Sequence, residues 1–228
     1  MHIPDGYLGP TTCGAFYLIM LPIWALASKI VKQTLRIRQV PMLAIGAAFS
    51  FVIMMLNLPV PGGTSAHAVG GVIIAILLGP WAACIAITVT LVIQALLFGD
   101  GGITAIGANC FNMAFVLPFA GYYIYRAISY QADLNSKRRV VAAGVAGYLA
   151  LTLAALFTAL ELGVQTLLHH SVGGQALYFP YGLKVSLQVM LGGHILLIGW
   201  VELVMTALVI KYLQKYSPKL FAESRGNF

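Results

Sequence analysis

Residues 39–99, QVPMLAIGAAFSFVIMMLNLPVPGGTSAHAVGGVIIAILLGPWAACIAITVTLVIQALLFG, run for 61 positions without one Asp, Glu, Lys or Arg. A helix crosses a bilayer in about 20 residues, so this stretch holds several crossings joined by uncharged turns. Asn57-Leu-Pro-Val-Pro-Gly-Gly-Thr-Ser65 interrupts it once and Gly79-Pro80 a second time; helices rarely run through such sequences. The piece between them, 66–79, is unusually short, and it is expected to start part-way into the membrane. That is tolerated where protein or a cavity satisfies the exposed backbone.

Working outward, apolar runs bounded by charges, prolines or glycines mark further spans near 11–28, 81–98, 104–125, 140–168 and 185–210, with 40–58 and 66–79 inside the opening stretch. Seven spans in one integral-membrane domain, 1–228, make an all-α polytopic membrane protein. Composition agrees: 60% of the 228 residues are hydrophobic and 8% charged, where a soluble domain carries about 25% charged residues. Cys13, Cys84 and Cys110 stand singly in apolar runs, as small packing residues do.

The net charge of +7 is a matter of orientation, not of nucleic acid, because its cations flank the apolar runs. Lys29, Lys32, Arg36 and Arg38 follow the first span. Arg126, Lys137, Arg138 and Arg139 follow the fifth, and Lys211, Lys215, Lys219 and Arg225 follow the last. Seven spans leave Lys184 alone on the other side, so the positive-inside rule puts the N-terminus outside and the C-terminus in the cytoplasm. Residue 1, His67, the Gly99–Gly102 loop and His169-His170 then share the outer side. No basic segment precedes the first apolar run, so no cleavable leader is expected there.

Met1-His2 offers three nitrogens to one metal: the terminal amine, the His2 amide once deprotonated, and a His2 ring nitrogen. They close adjacent five- and six-membered chelate rings. Such a tetragonal nitrogen set suits Ni(II) or Cu(II). His67 is the candidate fourth donor; a loop histidine can equally be structural or solvated. Asp5 could anchor the N-terminal segment or cap a turn, and Ser65 lies in the same outer loop as His67. Asn109 and Asn112, three apart, could hold that segment or bond between helices. The ionisable residues Glu161, His194 and Glu202 fall inside spans, where such groups are costly; they read as a proton relay or as structural pairs. Rows of small residues, Gly71-Ala75-Gly79 and Ala146-Ala150-Ala154-Thr158, permit close helix contact within the bundle or with a partner. Gly99-Asp100-Gly101-Gly102 reads as a turn. No phosphate loop, Ser-His-Asp arrangement or HExxH motif is found, so nothing in the chain points to catalysis or ATP hydrolysis.

The start Met1-His2-Ile3-Pro4-Asp5-Gly6-Tyr7-Leu8 and the segment Pro61-Gly62-Gly63-Thr64-Ser65-Ala66-His67 resemble the nickel/cobalt substrate-capture (S) components of energy-coupling factor transporters, the NikM/CbiM family. The resemblance implies a six-helix S-component core with an additional N-terminal helix, in a prokaryotic inner membrane. It implies Ni(II), or Co(II), as transported substrate, bound by Met1, His2 and His67. It also implies a transmembrane coupling subunit, cytoplasmic ATPase subunits and a small accessory membrane subunit as partners. Pro4-Asp5-Gly6 is similar to the nickel branch. A stand-alone, proton-coupled metal permease is the alternative reading.

Overall fold

The computed structural model describes residues 1–60 and 64–218. Pro61, Gly62 and Gly63 of the expected flexible turn, and the tail cations Lys219 and Arg225, lie outside them.

The charge-free stretch folds into two long helices around a short one. Helix α1 (Pro10–Thr34) precedes it. Then come α2 (Val40–Met55), α3 (Gly71–Leu78) and α4 (Pro80–Ile93), which continues as a π-helical turn over Gln94–Phe98. Pro10 and Pro80 stand in the first turns of α1 and α4, where the missing N–H costs nothing. Gly79, at φ 89°, supplies the positive-φ conformation that joins α3 to α4. Three further rods follow. The fifth combines α5 (Ile106–Cys110), a π turn (Phe111–Val116) and α6 (Leu117–Ile128). The sixth is α7 (Lys137–Gly163), followed by the short α8 (Gln165–Leu168). The last is α9 (Leu183–Gly193), a π turn (His194–Ile198) and α10 (Gly199–Tyr216).

Five of these units, Pro10–Thr34, Ile37–Met55, Pro80–Phe98, Lys137–Leu168 and Leu183–Tyr216, are long and apolar enough to cross a membrane. Helix α3 is not: its eight residues cover about 12 Å of a hydrocarbon core about 30 Å thick. It begins mid-bundle, as its length predicts. The expectation of purely α structure fails in one place. Leu58–Val60 (β1) and Thr64–Ala66 (β2) form an antiparallel hairpin, with Leu58 opposite Ala66 and Val60 opposite Thr64. This lets non-helical backbone descend into the bundle with part of its hydrogen bonding satisfied internally.

Glu202 of α10 satisfies more of it. Its carboxylate accepts the N–H of Val69 at 2.8 Å and that of Gly70 at 3.1 Å, capping the buried start of α3.

Helix α7 is central, packed by α6, α9 and α10. Ala146, Ala150, Ala154 and Thr158 are fully buried along it. A Cβ added to Gly147 would stand 3.0 Å from Thr206 Oγ1, and one on Gly144 3.0 Å from the Leu203 carbonyl. The small-residue rows therefore serve contacts inside the bundle. Helix α1 lies outside, against α4 and α5, where Gly107 meets it so closely that a Cβ would come 2.8 Å from the Tyr17 nitrogen. Leu18 and Leu21 of α1 and Leu196 of the last rod are more than half exposed, apolar surface suited to lipid.

Candidate metal centre

The first nine residues turn back into one end of the bundle. Met1 and Ile3 are fully buried and His2 is 3% exposed. Backbone in such a place must find partners, and loops from across the chain supply them. The Asn109 side chain brackets Ile3, accepting its N–H at 2.9 Å and donating to its carbonyl at 3.1 Å; Gly102 N–H donates to the same carbonyl at 2.8 Å. Thr64 Oγ1 donates to the His2 carbonyl at 3.0 Å. The Met1 amine donates to the Ser65 carbonyl and lies 3.3 Å from Ser65 Oγ. Farther out, Phe179 N–H donates to the Tyr7 carbonyl and Gly9 N–H to Gln165 Oε1.

Asp5 is the anchor. Its carboxylate accepts Ile103 N–H at 3.1 Å, Thr104 N–H at 2.8 Å and Thr104 Oγ1 at 2.5 Å. Burial opposes its ionisation, but these bonds outweigh that and hold the carboxyl below its ordinary value.

His2 and His67 meet face to face, ring centres 4.6 Å apart and planes 27° from parallel. The partners of each ring define its tautomer. His2 Nε2 lies 3.2 Å from Gln94 Oε1, an acceptor, so Nε2 carries the proton and Nδ1 carries the lone pair. Asp100 Oδ1 stands 3.4 Å from Nδ1, within ion-pair range, and Nδ1 has no hydrogen-bond partner. His67 Nδ1 donates to the Ala68 carbonyl at 3.1 Å, and its buried Nε2 is unpartnered. Two bare imidazole nitrogens thus stand beside a buried amine.

Burial pulls the Met1 amine down to about 4, opposed by the Asp100 charge. It pulls His2 down to about 3, reinforced by the neighbouring amine charge and opposed by the Gln94 bond. Asp100 is raised by burial, against the pull of the amine. At neutral pH the nitrogens therefore hold free lone pairs. Among the described residues no three His, Cys, Asp or Glu side chains cluster as a metal cage would need. Side chains alone therefore do not supply four ligands here.

The other expected residues divide. Ser65 and Asn109 touch the segment. Asn112 does not; it donates to Thr158 Oγ1 at 3.1 Å and Glu161 Oε2 at 2.8 Å, bonding between helices. Glu161, His194 and Glu202 each have their own partner, His194 Nδ1 lying 2.7 Å from the Met190 carbonyl, and no hydrogen bond joins any two of them among the described residues. His169, expected only to share the outer side, bonds Thr11 Oγ1 at 2.8 Å and presses on Gly9, while His170 is exposed. Gln94, Asp100, Thr64 and the Gly101-Gly102 pair were not foreseen as part of the site. A Cβ on Gly102 would fall 2.4 Å from the Asp5 nitrogen, so the glycine pair is the seat of the N-terminal segment rather than a simple turn. The cluster of three glycines around Asp100 was the available signal, since close backbone approach is one use of glycine.

Comparison with known proteins supplies the last observation. Residues 2–220 match the family model CbiM, described as the cobalt uptake substrate-specific transmembrane region. The chain is 50% identical over 222 residues to the "Probable fused nickel transport protein LarMN" of Lactiplantibacillus plantarum, covering 96% of this chain and 66% of that protein. It is 48% identical over 226 residues to the "Fused nickel transport protein NikMN" of Rhodobacter capsulatus, covering 99% of this chain and 65% of that one. It thus spans a little under two thirds of these fused relatives' length. A crystal structure described as a truncated transition metal transporter superposes with a TM-score of 0.90 at 50% identity, over 95% of this chain and 99% of the other. On its family model, its relatives and its fold together, the chain belongs to the CbiM family of substrate-specific transmembrane components.

Proposed function

We propose that this chain is the substrate-capture subunit of an ATP-driven importer of Ni(II), with Co(II) as the alternative cargo. The donors are the Met1 amine, the deprotonated His2 amide, His2 Nδ1 and His67 Nε2, arranged in a square. The observation that carries the reading is the 4.6 Å spacing of the His2 and His67 ring centres. Two imidazoles at adjacent corners of a square, each with a metal–nitrogen bond of about 2 Å, hold their ring centres about 4.5 Å apart. The tautomers support it too, because both leave the required nitrogen bare. Among the described residues the His2 backbone N–H meets no acceptor, so its deprotonation breaks no hydrogen bond.

Nickel comes first because deprotonated amide and tetragonal nitrogen donors suit Ni(II), and because relatives at 50% and 48% identity carry nickel in their names. The N-terminal end of the bundle faces outside by charge asymmetry. Energy comes from a transmembrane coupling subunit and cytoplasmic ATPases, with a small accessory membrane subunit as a further partner. The fused form of two relatives supports association with further segments. Nickel added to the purified full chain should give the d–d absorption of diamagnetic, square-planar Ni(II). A purely octahedral spectrum would sink the proposed coordination.

A further inference from the structure

A divalent ion held by a neutral amine, two neutral imidazoles and one amide anion keeps one unit of positive charge. It keeps that charge among groups with almost no exposure, Met1 and His67 being fully buried and His2 3% exposed. An uncompensated charge in such a place is costly. Most carboxylates of the bundle are engaged elsewhere: Asp5 with Ile103 and Thr104, Glu161 with Asn112, and Glu202 with the N–H groups of Val69 and Gly70. Asp100 is different. Its Oδ1 lies 3.4 Å from His2 Nδ1, and its buried Oδ2 has no hydrogen-bond partner. A metal about 2 Å from that nitrogen stands within about 5.4 Å of the carboxylate, the range over which opposite charges favour one another.

The position of Asp100 is fixed by the residue that also fixes the ring. The Gln94 carbonyl accepts Asp100 N–H at 3.1 Å, while Gln94 Oε1 faces His2 Nε2 at 3.2 Å. Gly101, at φ 87°, then turns the loop so closely past His2 that a Cβ there would stand 3.1 Å from the ring carbon Cδ2. Without metal this arrangement is unfavourable. The bare Nδ1 lone pair and a carboxylate oxygen face each other, both acceptors, and the buried Oδ2 has no donor. A cation beside the Nδ1 lone pair would relieve both.

We propose that Asp100 is the counter-ion of the loaded site, a carboxylate that does not ligate the metal but cancels the charge left on the nitrogen square. The inference rests on the capture site proposed above. Among the described residues no three His, Cys, Asp or Glu side chains are placed to hold one ion, which fits a carboxylate beside the metal rather than on it. The balance favours a divalent cargo that displaces one amide proton. A monovalent or trivalent ion in the same square would leave a net charge behind.

The test is Asp100→Asn, which keeps the shape and removes the charge, in the full chain in detergent with Ni(II) alone. Nickel affinity by calorimetry should fall about 10- to 100-fold, a loss moderated by the 19% exposure of Asp100. The square-planar d–d band should stay where it is in the unaltered chain, and the metal-free melting temperature should be unchanged or higher. Affinity within about twofold of the unaltered chain would overturn the proposal. So would a displaced band, which would make Asp100 a ligand, or a lowered metal-free melting temperature, which would make it a residue that only shapes the loop. If Asp100→Asn does not elute as a monodisperse protein, Asp100→Ser is read by the same measurements and decides by the same outcomes. The unaltered chain's spectrum tests the capture site separately: without a square-planar signal that reading fails, whatever Asp100→Asn does to affinity.

Discussion

The Asn109 carboxamide forms a two-point clasp on Ile3, taking its N–H at 2.9 Å and giving an N–H to its carbonyl at 3.1 Å. A neighbouring strand would bond a buried backbone in the same way, yet one side chain does it here. Asn109→Ala should lose both bonds and leave the Ile3 N–H orphaned, costing about 2–3 kcal/mol of docking. Nickel affinity measured by calorimetry should drop by about 30- to 150-fold. A change of less than about twofold would show that the clasp does not hold the ligand segment.

Adding one glycine before Met1 should abolish high-affinity nickel binding. The amine is enclosed against Ser65 and Met1 is fully buried, so an extra residue moves the first donor and has no space to occupy. Unchanged affinity in this extended chain would remove the terminal amine from the donor set. Intact mass of the unextended chain, measured alongside, shows whether Met1 is its first residue.

Gly102→Ala should weaken nickel binding strongly, because its Cβ would meet the Asp5 backbone nitrogen at 2.4 Å and Pro4 C at 2.7 Å. Backbone cannot swing aside as a side chain does. Gly14→Ala, which meets nothing within 4 Å inside α1, is the matched control and should be neutral or slightly stabilising. Equal binding by the two variants would contradict the seating of the segment on Gly102.

Calorimetry in buffers of different ionisation enthalpy should count one proton released per nickel near pH 7. With the amine lowered to about 4 and His2 to about 3, both are already neutral, so only the His2 amide gives up a proton. In a free peptide the amine, at about 7.7–8.0, would add most of a second. For the metal-free chain the sign follows from linkage: between about pH 4 and 8 the undocked terminus binds a proton that the docked one does not, so docking strengthens as pH rises through that window. A release of two protons at pH 7 would mean that the amine is charged before the metal arrives.

The large-scale plan was legible because it rests on hydropathy and charge. A 61-residue run without formal charge could fold only as several rods, and eight residues of α3 could not cross. Met1, His2 and His67 were legible as a set because chelate chemistry and charge asymmetry pointed to one end of one bundle. Asn112 was harder, since its choice of Glu161 over the N-terminal segment depends on how α7 packs, 49 positions later in the chain. The β1–β2 hairpin was missed because three-residue strands leave no periodicity to read. Gln94 and Asp100 look like ordinary helix-end and turn residues; only the fold brings them to the His2 ring.

The clasped N-terminal segment is, in effect, a peptide ligand that the protein carries on a tether. Helix α1 begins at Pro10, so Met1 and His2 are never more than a short leash from their seat. Their effective concentration at His67 is that of an intramolecular partner, on the order of millimolar or more for a short link. On the proposed donor set, much of the entropy of gathering the donors is met when the chain folds, and a scarce ion need only meet one preassembled partner.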